Sequence, residues 1–254
     1  MTMAMAEIAI TWTDLERMKE PTTALVTGGG RGIGKETAIL LAKKGMNVVI
    51  CSRTQGDIDS AVKEIKSMGN NQIIGKKCDV SKSDEVNNLV KGMLDMFGRI
   101  DLLINNAGIT YVKKLVNTTE EEWDYTMDIN LKGVFLLSKA ILPQMMKNNF
   151  GIIINVSSGA GKVGFEDISV YCANKFGMMG LTESLALEVA NYNIRVMSIC
   201  PGEVATKMQE DVDSHYYELN KHKMLLPKTV AEKITDMVFD DKGYTNGVSV
   251  DIPS

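Results

Sequence analysis

Cysteine and histidine are scarce in this 254-residue chain, which has four of the first (Cys51, Cys78, Cys172, Cys200) and two of the second (His215, His222). No cysteine lies in a CxxC pair, so neither a zinc knuckle nor a thiol redox motif can be built, and the apolar core is their expected place. The histidines stand seven apart with no cysteine nearby, and no metal site is expected. No window approaches the roughly 18 uninterrupted apolar residues of a membrane-spanning helix. The opening MTMAMAEIAITWTDLERMKE lacks the positive start of a secretory signal, so a reduced, cytoplasmic setting is expected. Like charges never run to five, and a net charge of −4 leaves no basic footprint for nucleic acid or a membrane surface.

What is present is the composition of one sizeable globular domain, 44% hydrophobic and 24% charged. Short β-branched runs alternate with longer amphipathic segments: TALVTG, then KETAILLAKKG; NVVIC, then DIDSAVKEIKSMG; QIIGKKC, then SDEVNNLVKGMLDMFG; and DLLIN, then a long helical stretch over about 120–147. GIIINVS, a helix over about 169–191, IRVMSIC, the helix TVAEKITDMVF and the strand GVSVDI complete the series. Gly45, Gly69 and Gly98 stand where helices should stop. The strands are continuous apolar runs rather than alternating ones, as expected of parallel strands covered on both faces. The expected fold class is therefore α/β, a doubly wound parallel sheet of the Rossmann type in a single domain over 21–254. Residues 1–20 precede the first strand, as an arm or a short helix. Residues 206–227, TKMQEDVDSHYYELNKHKMLLP, break the rhythm near the carboxyl edge of the sheet, where either a lid over a ligand or an ordinary surface helix and loop would lie.

The first strand-to-helix turn, TGGGRGIG, spaces Gly28, Gly32 and Gly34 as GxxxGxG, with Ile33 between the last two. Such a turn serves a sharp bend, a close approach of backbone to a pyrophosphate and a helix N-terminus aimed at the anion. No Gly-Lys-Ser/Thr follows, which argues against a nucleotide-triphosphate loop. Further along come NNAG (Asn105–Gly108), Ser158 thirteen residues before Tyr171, YxxxK from Tyr171 to Lys175, and Pro201-Gly202. Taken singly, Tyr171 and Lys175 are a helical i, i+4 pair, and Ser158 is a candidate cap for the turn after it.

Taken in order over residues 22–206, these motifs resemble the short-chain dehydrogenase/reductase family, including its reductases of 3-oxoacyl thioesters. The resemblance implies that Tyr171 is the acid that protonates a carbonyl oxygen, or the base in oxidation. It implies that Lys175 favours the phenolate and holds the nicotinamide ribose, that Ser158 polarises the substrate oxygen, and that Asn130 supports a water linking the lysine to solvent. Asp79 and Val80 would flank the adenine. Asn106, Ala107 and Gly108 would line the cofactor cleft, and Pro201, Gly202, Val204 and Thr206 would meet the carboxamide side. A helix-mediated homodimer or a homotetramer is implied too, although the ending VDIPS departs from the family's usual VDGG-like stretch.

No acid follows the second strand, where NAD enzymes of this kind place one for the ribose 2′-hydroxyl. Ser52 and Arg53 stand there instead, with Arg31 in the glycine turn, and guanidinium forks match phosphate oxygens. NADP(H) is the expected cofactor, with NAD(H) the alternative. The expected substrate is a small carbonyl compound or alcohol, a 3-oxoacyl thioester on an acyl carrier being one form and a sugar, steroid or diketone others. A non-catalytic nicotinamide sensor would be expected to lack one of Asn130, Ser158, Tyr171 and Lys175, and all four are present. A nucleotide-sugar epimerase would need a longer C-terminal region.

Overall fold

A computed structural model describes residues 22–68, 72–240 and 243–253. The expected arm over 1–20 and the helix stop at Gly69 lie outside the described residues. Seven strands form one sheet: β1 (Thr23–Thr27), β2 (Asn47–Ser52), β3 (Ile73–Lys77), β4 (Leu102–Asn105), β5 (Gly151–Val156), β6 (Ile194–Pro201) and β7 (Ser249–Ile252). They are all parallel, in the order β3-β2-β1-β4-β5-β6-β7. Strand order therefore reverses between β1 and β4, and a crevice opens there at the carboxyl ends.

Every residue of β1, β4, β5 and β6 is buried, because helices cover both faces. Ala24, Val26, Ile152, Ile154, Met197 and Ile199 point to one face, and Leu25, Leu103, Ile153 and Val196 to the other. The first face packs on α1 (Gly32–Lys43), α2 (Gln55–Ser67) and the helix Pro227–Phe239. The second packs on α3 (Ser83–Phe97) and on the helices Gly133–Asn148 and Ser169–Glu188. Gly45 and Gly98 follow α1 and α3 with φ of 86° and 73°, the left-handed backbone that ends a helix.

The stretch expected as one helix over 120–147 is three pieces: α4 (Glu120–Met127), a wide π-helical turn at Asp128–Lys132, and α5 (Gly133–Asn148). The turn widens around Asn130, whose side chain is bonded outside the helix, as described below. The helix expected over 169–191 is α6 (Ser169–Glu188), which passes into a short 3₁₀ turn and stops at Asn193, with φ of 51°. Residues 206–227 hold α7 (Lys207–Val212) and α8 (Ser214–Asn220), before α9 (Pro227–Phe239). The base of this excursion is closed, because Ala205 N donates to Leu225 O and Leu225 N to Glu203 O, each at 2.9 Å.

Candidate active site

A cleft of about 630 Å³ lies at the carboxyl ends of the strands, over the point where strand order reverses. One wall is the turn from β1 into α1. Gly28 and Gly32 take φ of 63° and 57°, the left-handed region that favours glycine. A Cβ on Gly28 would stand 2.8 Å from Asn106 Nδ2, so the turn and the end of β4 approach too closely for any side chain. Thr27 Oγ1 accepts from the backbone of both Asn106 and Ala107 at 2.9 Å, and Asn106 Nδ2 returns a bond to Thr27 O at 2.8 Å. The glycine turn is thereby locked to the strand across the crevice.

Helix α1 begins on this turn with no side chain capping it and no acid in its first turn. Its orphan N–H groups and positive dipole end face the cleft, a fit for a diphosphate. Gly34 does not reach the cleft wall. A Cβ there would collide with the Gly28 carbonyl and Asn106 Nδ2, so this position serves the contact between helix and strand.

Ser52, Arg53, Asp79 and Val80 line the far end. Asp79 is occupied locally: its Oδ1 accepts from Ser81 Oγ at 2.7 Å and from Ser81 N at 3.0 Å. Arg31 lies 3.8 Å from Asp211 on α7, both side chains half exposed.

At the other end, Ser158, Tyr171 and Lys175 share the cleft wall with Ala107, Gly108, Pro201, Gly202, Val204 and Thr206. Tyr171 and Lys175 project from the same side of α6, as their spacing of four requires. The Lys175 ammonium donates to Val156 O at 2.7 Å and lies 5.4 Å from the centre of the Tyr171 ring. Burial pushes the Tyr171 hydroxyl up to about 12, with a hydrogen bond from Ser158 pulling the other way. Burial lowers the Lys175 ammonium to about 8. Near neutral pH the tyrosine is thus a phenol holding its proton beside a charged lysine, the arrangement of a proton donor. Ser158 Oγ also accepts from Ala160 N at 3.2 Å, so it caps the turn after it as well as facing Tyr171.

Asn130 is fully buried behind this wall. Its Oδ1 accepts from Ile109 N and its Nδ2 donates to Ile109 O, each at 2.8 Å, and Nδ2 also donates to Asn174 Oδ1 at 3.1 Å. It ties the loop after β4 to α6 at Asn174, three residues after Tyr171 and next to Lys175.

Residues 22–216 match the short chain dehydrogenase family. The chain belongs to that family. This short-chain dehydrogenase is 35% identical to a 3-oxoacyl-acyl-carrier-protein reductase of Thermotoga maritima, covering 92% of this chain and 96% of that one. It is 42% identical to a Synechocystis protein of the same name, over 75% of this chain and 77% of the relative. Among solved structures, an actinorhodin polyketide ketoreductase with NADPH superposes with a TM-score of 0.86 and 30% identity, covering 92% of this chain and 97% of that one. A levodione reductase gives the same TM-score at 28% identity, over 91% and 96%. The short-chain dehydrogenase is accordingly an oxidoreductase that works with a nicotinamide cofactor.

Several residues of the site carry no motif of their own. Asn174 acts by bonding Asn130; Ile109, Phe165, Glu166 and Glu203 line the cleft from loops, and Met208 lines it from α7. Glu203 accepts from the Tyr216 hydroxyl at 3.1 Å, fastening α8 beside the cleft. Among the described residues no cluster of metal-ligating side chains occurs, and no helix is long and apolar enough to cross a membrane.

Proposed function

We propose that this enzyme is an NADP(H)-dependent carbonyl reductase in which Tyr171 delivers the proton to the substrate oxygen. The observation that carries this reading is the convergence of Tyr171, Lys175 and Ser158 on one wall of the cleft, with the tyrosine held as a phenol. A bound nicotinamide supplies the hydride at the carbonyl carbon. The glycine turn and the start of α1 receive the diphosphate, while Val204 and Thr206 hold the carboxamide side. Ser158 donates to the carbonyl oxygen and Tyr171 protonates it as charge develops there. Lys175, charged and tethered to Val156 O, offsets the negative charge left on the phenol and fixes the ribose. Asn130 acts from behind, through Ile109 and Asn174, to hold both walls and to support a water path from the lysine.

NADP(H) rather than NAD(H) is favoured by Arg31, Ser52 and Arg53 at the adenosine end and by the absence of an acid directly after β2. A 3-oxoacyl thioester is the favoured substrate, because several relatives carry that name. Residues 206–227 act as the lid, with Tyr216 and Glu203 as its fastening. Phe135 on α5 with Phe176 and Leu187 on α6 are 46%, 46% and 63% exposed, the kind of apolar surface a homodimer covers.

The test is a panel of 3-oxoacyl thioesters, ketones and aldehydes, followed by NADPH absorbance for the wild type and Tyr171→Phe. The variant is expected to lose at least about 100-fold in turnover, the scale of a lost acid catalyst, while binding NADPH normally. Near-normal turnover in Tyr171→Phe removes the assignment.

A further inference from the structure

The centre of the Arg53 guanidinium lies 5.3 Å from the centroid of the Tyr125 ring. Arg53 extends from the end of β2 at the rim of the cleft, and Tyr125 stands on α4, a different element. We propose that Tyr125 is a positioning residue for coenzyme selection: its ring holds Arg53 ready for the 2′-phosphate of NADP(H). The inference rests on the NADP(H) reading above and adds to it a residue that no glycine, Ser-Tyr-Lys or basic motif contains.

The two arginines at this end are in different states. Arg31 lies 3.8 Å from the Asp211 carboxylate. The Arg53 guanidinium, among the described residues, has the Tyr125 ring as its neighbour and no hydrogen bond or ion pair. A ring attracts a guanidinium electrostatically and offers no oxygen or nitrogen acceptor that would occupy its N–H donors. With no hydrogen bond or ion pair on it, the fork that matches phosphate oxygens stays available.

The helix that carries the ring is anchored at its start. Thr119 and Glu122 form a reciprocal cap at the start of α4, with Glu122 N donating to Thr119 Oγ1 at 3.2 Å and Thr119 N to Glu122 Oε2 at 3.1 Å. Lys113 pairs with the same glutamate from the preceding loop. Tyr125 follows this anchored turn directly, 38% exposed. A free arginine loses rotamer freedom on meeting a phosphate, and a ring that has already restricted it removes part of that cost.

The experiment is equilibrium binding of NADPH and NADH, by calorimetry, to wild type, Tyr125→Leu, Tyr125→Phe, Arg53→Ala and the double variant Tyr125→Leu/Arg53→Ala. Tyr125→Leu should weaken NADPH about 2- to 5-fold, the scale of a cation–π contact at an exposed site, and leave NADH unchanged. Tyr125→Phe keeps the ring and should restore wild-type selectivity. In the Arg53→Ala background Tyr125→Leu should have no further effect on NADPH. A wild type that prefers NADPH, with Tyr125→Leu weakening both coenzymes alike or neither, overturns the clamp and leaves the coenzyme reading intact. A wild type without preference for NADPH overturns the coenzyme reading and the clamp together, and an Arg53→Ala variant that keeps the preference overturns the clamp alone.

Discussion

The ammonium of Lys175 lies 5.4 Å from the centre of the Tyr171 ring while donating to the Val156 carbonyl at 2.7 Å. One residue of α6 thus connects the proton-bearing side chain to the end of β5, and it does so as a buried cation lowered to about 8. Tyr171, at about 12, keeps its proton through the range in which Lys175 loses its own.

Carbonyl reduction should therefore be level near neutral pH and fall as pH rises through about 8, when the cation that offsets the developing phenolate disappears. The check is kcat/KM for reduction measured from pH 6 to 10 at saturating NADPH. A profile that stays flat to pH 10 rules out a role for the Lys175 charge in the rate.

The same buried cation gives stability a sign. Below about 8 the folded protein carries a desolvated ammonium, and that cost is lost as pH rises toward the ordinary lysine value of 10.5, because the unfolded chain then binds the extra proton. Compared with Lys175→Met, the wild type should gain stability between about pH 8 and 10.5. Urea midpoints of the two proteins across this range check it, and parallel curves would count against it.

Gly34→Ala places a methyl group against the Gly28 carbonyl and Asn106 Nδ2. Overpacking of this kind costs about 1–3 kcal/mol, and here it also pushes the glycine turn away from β4. A lower denaturation midpoint together with weaker NADPH binding is expected. Unchanged coenzyme affinity would show that the turn does not need this close approach.

Asn130→Ala leaves the Ile109 N–H and carbonyl and the side-chain Oδ1 of Asn174 without their partner inside the protein. A loss of about 1–3 kcal/mol is expected per stranded buried group, short of full additivity. Turnover should fall more than coenzyme affinity, because the bonds link the loop after β4 to the helix that carries Tyr171 and Lys175. Steady-state kinetics beside chemical denaturation separate the two effects, and a stable variant with wild-type kcat removes Asn130 from the site.

Much of the fold is legible in the chain because its signals are local. TALVTG, NVVIC and GIIINVS are short β-branched runs, and each continuous apolar run requires cover on both faces, which the two core clusters supply. Helix continuity was harder to read. Apolar spacing over 120–147 does not register a π-helical turn, nor the bonds that its Asn130 makes to a loop 21 residues earlier. The stop at Asn193 is legible only as a residue type tolerant of left-handed backbone.

Within the site, the glycines and the Tyr171–Lys175 pair carry fixed spacings because one turn and one helix set their geometry, while Ser158, on the turn after β5, is brought to Tyr171 by the fold. Gly34 looks equivalent to Gly28 and Gly32 in the sequence, yet it lies behind the cleft wall, where only packing distances distinguish it. Ser158 shows two alternatives to be compatible, since its hydroxyl caps a turn and faces Tyr171 at once.

The sequence by itself determined the α/β class, the order of strands and helices and the spacing of the Tyr171 and Lys175 side chains on one helix. These follow from periodicity and from turns a few residues long. Tertiary structure alone decided that Asn130 stitches two walls, that Thr27 locks the glycine turn, that Arg53 rests against Tyr125 and that burial raises the Tyr171 hydroxyl above its ordinary value. Each of these depends on groups brought together from distant parts of the chain, and neither solvation nor a contact between separate elements has a period in the sequence.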